Sequence, residues 1–188
     1  MNYLKNAVSH PLRTASLLPS SDRLSNMIVN TAEVLRADVI VEFGSGTGAI
    51  TEKIIEKMSP SARLVAMEIN PDFSEQTKKR FPQAVVFNKC AGETLDCLES
   101  LGIDGCDRIV SGLPWVVFGS SFQKKLLSAA REALNPGGVF VSFAYAPMHV
   151  LPGGKNFRNN LEAMFSKVEK TKIEWRNLPP AFVYRAQK

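Results

Sequence analysis

The sequence is poor in the residues that build disulfide frameworks or metal centres. Its three cysteines, at positions 90, 97 and 106, form no Cys-x-x-Cys pair, and the chain has only two histidines. An odd number of unclustered cysteines excludes a disulfide-stapled domain and offers no ligand set for zinc. We therefore expect reduced structural thiols in a cytosolic protein, and no metal.

Long apolar runs are also missing. The first residues, MNYLKNAVSHPLRTASLL, lack the continuous apolar stretch that a signal peptide needs. No run reaches the roughly 18 apolar residues that a membrane span requires. The sequence therefore predicts neither secretion nor a span. It also contains no repeat, and 188 residues suit one domain with one core.

No block of five or more like charges occurs, yet the net charge of +5 is unevenly spread. Residues 1–36 hold four Lys and Arg against two acids, residues 37–149 eleven against thirteen, and residues 150–188 eight against three. The two ends are basic, which suits an anionic partner such as a phosphate backbone or an acidic membrane surface. Ordinary solvated lysines and arginines explain the same counts equally well.

Apolar runs alternate with helix-like segments from residue 38 onward. Such runs, separated by helices of about ten residues, are typical of a parallel sheet covered on both faces. Near the end, KVEKTKIEW and AFVYRAQ indicate two strands with a short connection, which requires antiparallel pairing. The predicted fold is α/β, a mostly parallel seven-stranded Rossmann-like sheet with an antiparallel C-terminal hairpin. The predicted strands before the hairpin are 39–43, 63–69, 84–87, 108–110 and 139–145, and the predicted helices are about 49–58, 71–81, 94–101, 121–134 and 156–165.

A further helix is predicted before the first strand. In PSSDRLSNMIVNTAEVLR, Ser21 or Asp22 can cap a helix whose apolar face runs to Leu35. The segment upstream of it is only weakly amphipathic, and Pro11 interrupts it. Its apolar residues include Leu4, Val8 and Leu12.

VEFGSGTGAIT, residues 41–51, carries the strongest chemical signal. A strand ends there, Gly44, Gly46 and Gly48 follow, and a helix begins, so that the backbone can approach a ligand closely. Twenty residues after Gly48, Glu68 ends the next strand, where an acid commonly accepts hydrogen bonds from the ribose hydroxyls of a nucleoside. The Gly-x-Gly-x-Gly spacing favours S-adenosylmethionine over NAD, whose turns read Gly-x-Gly-x-x-Gly, and over a purely structural loop.

Together with MEINPDF, SGLPW and LLPSSDRL, this motif resembles the bacterial phospholipid N-methyltransferases, which methylate phosphatidylethanolamine, and the related ornithine-lipid N-methyltransferases. The resemblance covers about residues 18–136 and implies the class I S-adenosylmethionine-dependent methyltransferase fold. It assigns the methionine portion of the cofactor, the ribose and the adenine to successive loops. The cofactor residues that follow from it are Glu42, Gly44, Ser45, Gly46, Gly48, Glu68, Ile69, Ala91, Gly92 and Ser111.

The same motifs are more distantly similar to the ribosomal RNA adenine dimethyltransferases. That family reads Asn-[Leu/Ile]-Pro-[Tyr/Phe] where this chain has Gly112 to Trp115. In the Asn version the amide and a backbone carbonyl accept hydrogen bonds from the base amine, while the aromatic ring stacks on the flipped base. Because Gly112 removes the amide, an RNA adenine N-methyltransferase is the alternative function. An inactive nucleoside-binding scaffold is a third interpretation.

A lipid amine has no planar base edge, so the enzyme does not need a side-chain amide to recognise one. Backbone carbonyls of residues 111–113 can orient it, and the Trp115 ring either packs or holds a methylated ammonium through a cation–π contact of about 0.5–2 kcal/mol. The amine must be neutral to react, which costs roughly 4–5 kcal/mol at pH 7 for a group with the pKa of lysine. A general base is not required, although Tyr145, His149 and Tyr3 are candidates. The predicted catalytic residues are Ser111, Trp115, Tyr145 and His149.

We therefore predict an S-adenosylmethionine-dependent N-methyltransferase that acts on a lipid head-group amine of the phosphatidylethanolamine type. Residues 1–188 form one domain, with a Rossmann-like core at 37–188. Residues 1–36 either lie on an anionic bilayer or pack over the cofactor as a lid. The predicted location is cytoplasmic, at the inner face of the membrane, and nucleic acid is not an expected partner.

Overall fold

The computed structural model describes residues 21–188. The apolar residues predicted to contact the membrane, Leu4, Val8 and Leu12, and the candidate base Tyr3 lie outside the described residues. Within 21–188, no helix combines the length and the hydropathy needed to cross a bilayer. The same residues contain no group of three or more His, Cys, Asp or Glu placed to hold a metal ion.

Strands and helices alternate along the chain as the sequence predicts. The strands are β1 (Val39–Phe43), β2 (Arg63–Met67), β3 (Ala84–Phe87), β4 (Cys106–Ser111), β5 (Leu134–Tyr145), β6 (Lys167–Lys170) and β7 (Ala181–Gln187). The α-helices of the described part are α1 (Asp22–Ala32), α2 (Ala49–Lys57), α3 (Pro71–Arg80), α4 (Thr94–Glu99), α5 (Ser120–Ala133) and α6 (Pro152–Met164). The sheet order is β3-β2-β1-β4-β5-β7-β6, and β7 is antiparallel to both of its neighbours. The predicted fold class is confirmed.

The order of the strands reverses between β1 and β4, which are parallel neighbours. In open α/β sheets, ligands bind outside the carboxyl ends of the strands at such a switch point. Phe43 at the end of β1 pairs with Ser111 at the end of β4. The glycine loop and SGLPW therefore leave the sheet side by side.

Buried side chains cover both faces of the sheet. One layer joins Phe43, Ile109 and Phe140 to the inner faces of α5 and α6. The other joins Ile40 and Val110 to apolar residues of α1 and α2. Successive strand residues enter opposite layers, as the two-residue period of a strand requires. Burial on both faces explains why the strands are continuous apolar runs.

The first described helix begins as predicted but ends early. The Ser21 hydroxyl accepts a hydrogen bond from the Leu24 N–H at 3.2 Å and caps α1. The helix ends at Ala32 because Glu33 adopts a left-handed conformation, with φ of 54°. The predicted apolar face therefore does not continue to Leu35, which is 69% exposed.

Two boundaries near the C-terminus differ from the prediction. β6 ends at Lys170 rather than near Trp175, because the Thr171 hydroxyl, in place of a backbone carbonyl, accepts the Val183 N–H at 3.0 Å. α6 begins at Pro152, a favourable first helical residue, rather than near residue 156. A β-carbon at Gly153 would lie 1.9 Å from the Val116 carbonyl oxygen, so glycine allows this close packing.

Candidate active site

The loop between β1 and α2 contains three glycines with positive φ, a conformation that side chains disfavour. A β-carbon at Gly44 would lie 2.9 Å from the side chain of Leu113, and one at Gly48 would lie 2.5 Å from the Phe81 ring. At Gly46, nothing lies within 4 Å of the same position. The loop is therefore packed at both ends and open at Gly46, where a ligand has room.

Glu68 follows β2 and is held by the glycine loop. Its side chain is buried, and its carboxylate accepts hydrogen bonds from the Gly46 N–H at 2.9 Å and from the Asn70 N–H at 2.8 Å. Each carboxylate oxygen accepts one of these bonds and retains a second acceptor position. A fixed carboxylate beside an open glycine fits two neighbouring ribose hydroxyls.

Glu42 in β1 is fully buried, and only one of its two carboxylate oxygens has a hydrogen-bond partner among the described residues. The Thr51 hydroxyl donates to its Oε2 at 2.7 Å, whereas its Oε1 has no hydrogen-bond partner among the described residues. Burial is the main cause that raises the pKa of Glu42 to about 8, and the nearby charge of Glu68 adds to it. A buried acceptor without a donor is costly. A ligand that carries an ammonium group would satisfy this oxygen and stabilise its charge.

These features fit S-adenosylmethionine, which has both a ribose and an α-amino group. Ile69 directly follows Glu68 and is 43% exposed, so its side chain is available to the adenine. Ala91 and Gly92 lie in a 3-10 turn after β3, at the same edge of the sheet. Ser45 differs, because its buried hydroxyl lies 3.1 Å from Thr77 Oγ1 and ties the loop to α3.

SGLPW is in direct backbone contact with the glycine loop. The Gly112 N–H donates to the Phe43 carbonyl oxygen at 2.8 Å. A β-carbon at position 112 would lie 2.9 Å from the Gly44 carbonyl oxygen, closer than real β-carbons approach. The present backbone therefore requires glycine where the RNA enzymes have asparagine.

The three backbone carbonyl groups of residues 111–113 differ in whether they already accept a hydrogen bond. The Ser111 carbonyl accepts the Ser142 hydroxyl at 3.2 Å, and the Leu113 carbonyl accepts the Trp115 N–H at 3.0 Å. The Gly112 carbonyl accepts no hydrogen bond from any residue within 21–188. It is therefore the carbonyl that remains free for a substrate amine at the switch point.

Trp115 lies in the core rather than on a wall of the cleft. Its ring is 3% exposed, stacks on Phe157 with ring centroids 4.7 Å apart, and also contacts Phe118 and Phe140. Its Nε1–H donates to the buried Ser111 hydroxyl at 3.0 Å. A cation–π contact needs an open ring face. This geometry therefore gives no support to the predicted ammonium contact, and the hydrogen bond joins the two side chains within the core.

The side chains of the two remaining candidate bases make no hydrogen bond to the glycine loop or to SGLPW within the described residues. Tyr145 ends β5, packs its ring against Phe143 at 5.4 Å, and has its pKa raised by burial. The His149 ring contacts Phe182 edge-on at 5.2 Å, and its Nδ1 pairs with the Ala146 carbonyl. His149 lines a surface cavity of about 380 Å³ along α6 that includes no residue of the glycine loop or of SGLPW. The role of either side chain as a base therefore stays a prediction.

One structural residue of the site escaped the sequence analysis. Gln123 of α5 is fully buried, and its amide donates to the carbonyl groups of Trp115, Phe118 and Gly153 at 2.7, 3.1 and 3.0 Å. It therefore ties the segment after SGLPW to α6. The sequence did contain a signal for its burial, because Gln123 lies three, four and seven residues before the apolar Leu126, Leu127 and Ala130 and therefore on the same helix face.

Replacing Glu42 by glutamine tests the unsatisfied carboxylate. The ordinary pKa of 4.5 rises to about 8 in the folded protein, so the unfolded chain loses its proton first as the pH increases. Stability therefore falls between these pH values in the parent, and glutamine removes this loss. We expect the ligand-free variant to unfold at least about 4 °C above the parent at pH 8 and at the same temperature at pH 4.5. Thermal unfolding followed by circular dichroism measures both, and an equal difference at the two pH values would contradict the assignment.

Comparisons with known proteins match the part of the chain that holds the glycine loop, and they match the fold. The family model for ribosomal RNA adenine dimethylase matches residues 20–87, which hold the glycine loop and Glu68. The ribosomal RNA small subunit methyltransferase A of Chlamydia trachomatis is 34% identical over 88 residues, which are 47% of this chain and 30% of that protein. An O-methyltransferase from Bacillus cereus, solved in complex with SAH, superposes with a TM-score of 0.71 at 15% identity and covers 98% of this chain and 90% of its own.

A longer match extends beyond the cofactor half of the chain. The ornithine lipid N-methyltransferase of Singulisphaera acidiphila is 32% identical over 185 residues, which are 97% of this chain and 92% of that protein. This alignment includes SGLPW as well as the glycine loop. The chain therefore belongs to the same family as that enzyme, and it is an S-adenosylmethionine-dependent methyltransferase.

Proposed function

We propose that the protein methylates the head-group amine of a membrane lipid of the ornithine-lipid or phosphatidylethanolamine type. The observation that carries the proposal is the backbone at Gly112, where a β-carbon would meet the Gly44 carbonyl oxygen at 2.9 Å. Without a side-chain amide, this position cannot read the edge of an adenine as Asn-containing enzymes do. A primary aliphatic amine needs only an acceptor for one N–H.

Different residues at the switch point bind the cofactor and orient the substrate amine in this proposal. We assign the ribose hydroxyls of the cofactor to Glu68 and its α-amino group to the free oxygen of Glu42. S-Adenosylmethionine, when bound, supplies a methyl group on a positively charged sulfur. The Gly112 carbonyl accepts one N–H of the substrate, which directs the nitrogen lone pair toward the glycine loop. Orientation of this kind contributes several kcal/mol to a transfer between two bound partners, about 7 kcal/mol in well-aligned cases.

The substrate amine must reach the site without its extra proton. At pH 7 the neutral form costs roughly 4–5 kcal/mol for an amine with the pKa of lysine. Partial removal from water lowers the pKa of the amine and reduces this cost. Because neither the Tyr145 nor the His149 side chain is hydrogen-bonded to the glycine loop or to SGLPW within the described residues, we assign selection of the neutral amine to this desolvation rather than to a side-chain base.

The proposal also covers organisation and location. We take residues 1–188 as one catalytic unit that works at the inner face of the cytoplasmic membrane. The relative from Singulisphaera acidiphila, named for an ornithine lipid, supports a lipid substrate. RNA adenine methylation is the second candidate, because the family model for ribosomal RNA adenine dimethylase matches residues 20–87.

Expression in a suitable bacterial host tests the substrate class. The host contains phosphatidylethanolamine but no methylated amine lipid, and a second strain also makes ornithine lipid. With labelled methionine, we expect label in methylated amine lipid in the chloroform phase of at least one strain. The Glu68→Ala variant should give none. Label in ribosomal RNA above that of the host without the protein, with none in lipid, would refute the lipid proposal and support the adenine function.

A further inference from the structure

The two most exposed large apolar side chains of the described residues lie close together in the chain. Leu178 is 89% exposed and Trp175 is 72% exposed, and both lie in the connection between β6 and β7, residues 171–180. Water contact of this extent is unfavourable for large apolar groups. Two such residues within four positions indicate a surface that a partner covers.

This connection lies beside the turn that follows β5. Tyr145 pairs with Ala181 in the antiparallel ladder, and the Ala146 N–H donates to the Pro180 carbonyl oxygen at 2.8 Å. The turn adds further exposed apolar side chains. We define the apical patch as Met148, Val150, Leu151, Trp175 and Leu178, which are between 37% and 89% exposed.

The apical patch shares its edge of the sheet with the site of transfer. β5 runs parallel to β4, so the turn after Tyr145 emerges on the side where Gly112 emerges. The Gly153 β-carbon position, 1.9 Å from the Val116 carbonyl, shows that the start of α6 touches the segment just after SGLPW. A partner that covers the patch therefore faces the switch point.

Charge at the patch favours an anionic partner. Lys172 and Arg176 lie on either side of Trp175, and Glu174 is the one acid of the connection, so the connection has a net positive charge. The base of the connection is anchored, because the buried Asn177 accepts the Ser21 hydroxyl and donates to the Pro179 carbonyl. Apolar tips on an anchored, basic loop suit the interface of an anionic bilayer.

We propose that the apical patch docks on an anionic lipid bilayer and inserts Trp175 and Leu178 at the head-group boundary. The inference rests on the proposed function, since docking by this edge brings a head-group amine to Gly112 while its acyl chains stay in the bilayer. Lys172 and Arg176 contact lipid phosphates on either side of the inserted tryptophan. The apolar residues of the turn after β5 lie along the same boundary.

Tryptophan fluorescence of the full chain tests the docking directly. The chain has two tryptophans, and only Trp175 is exposed to solvent, since Trp115 is buried. The probe is a vesicle of phosphatidylglycerol and phosphatidylcholine without any amine lipid, with and without brominated acyl chains. We expect a blue shift of the emission on addition of vesicles and quenching by the brominated chains.

Variants assign the binding to the patch. Leu178→Ala should weaken partition into these vesicles by about tenfold, as expected for loss of one inserted large apolar side chain. Lys172→Ala with Arg176→Ala should weaken binding to anionic vesicles and leave binding to pure phosphatidylcholine unchanged. The control is Leu35→Ala, because Leu35 is 69% exposed but precedes β1 at the opposite edge of the sheet. It should bind vesicles as the parent does.

Several outcomes would overturn the docking. The first is emission that is already blue-shifted without vesicles, which would mean that residues 1–20 or a second copy covers Trp175. The second is emission that does not change when vesicles are added. The third is an equal loss of vesicle binding for Leu178→Ala and Leu35→Ala. Because the vesicles contain no substrate, these results do not depend on the proposed function. Methyl transfer to an amine lipid in detergent micelles tests that function separately, and Leu178→Ala should retain it.

Discussion

Replacing Glu68 by alanine will lower the affinity for S-adenosylmethionine by at least about 100-fold, because each hydrogen bond to a charged group contributes about 1.5–3 kcal/mol and two are lost. The carboxylate is fixed by the N–H groups of Gly46 and Asn70, so it is oriented before the cofactor binds. Titration calorimetry measures the affinity, and circular dichroism checks that the variant is folded.

Glu75→Ala is the matched control for this prediction. Glu75 lies on α3, a few residues further along the chain, and its carboxylate pairs with Lys78 on the exposed surface. An exposed pair of this kind contributes about 0–1 kcal/mol to stability. We expect the control to bind the cofactor as the parent does. Equal affinity of Glu68→Ala and the parent would refute the placement of the ribose.

The second large effect concerns stability. Trp115→Ala should lower the free energy of unfolding by about 3–5 kcal/mol, since it leaves a cavity between Phe157, Phe118 and Phe140. Chemical denaturation measures the loss. Trp115→Phe keeps a ring against Phe157 and loses mainly the hydrogen bond to Ser111, which should cost about 1 kcal/mol.

The phenylalanine variant also separates packing from catalysis. If Trp115 only positions the SGLPW segment, Trp115→Phe should give the same ratio of singly to multiply methylated product as the parent. A direct contact with the methylated ammonium would instead slow the later transfers selectively, because phenylalanine attracts cations less than tryptophan. A selective loss of the later products would therefore restore the cation–π role.

Local patterns in the sequence were sufficient for the succession of strands and helices in the parallel part of the sheet, although β5 begins at Leu134 rather than at residue 139. The bounds of β1 and β3 follow the apolar runs 39–43 and 84–87 because both faces of these strands are buried. The closeness of Gly46 to Glu68 follows from their positions after the adjacent parallel strands β1 and β2. The structure adds the physical reasons for the glycines: a β-carbon would clash with Leu113 at Gly44 and with Phe81 at Gly48, and Gly46 leaves open space.

Features that depend on distant contacts could not be predicted. Gly153 and Gly154 argue against a helix by propensity, yet α6 begins before them because it packs closely on Val116. An aromatic residue after a strand suggested a ligand wall at Trp115, and only the position of Phe157 shows that the ring is covered. The sequence also gave no sign that Thr171 would replace a backbone acceptor and end β6.

Methyl transfer by the purified protein is the most direct test of the central claim. The reaction contains labelled S-adenosylmethionine, ribosomal RNA and vesicles of ornithine lipid or phosphatidylethanolamine, with and without anionic lipid. We predict chloroform-soluble label in the amine-lipid vesicles, more of it with anionic lipid, and none in the RNA. Label in the RNA with none in either lipid would contradict the account.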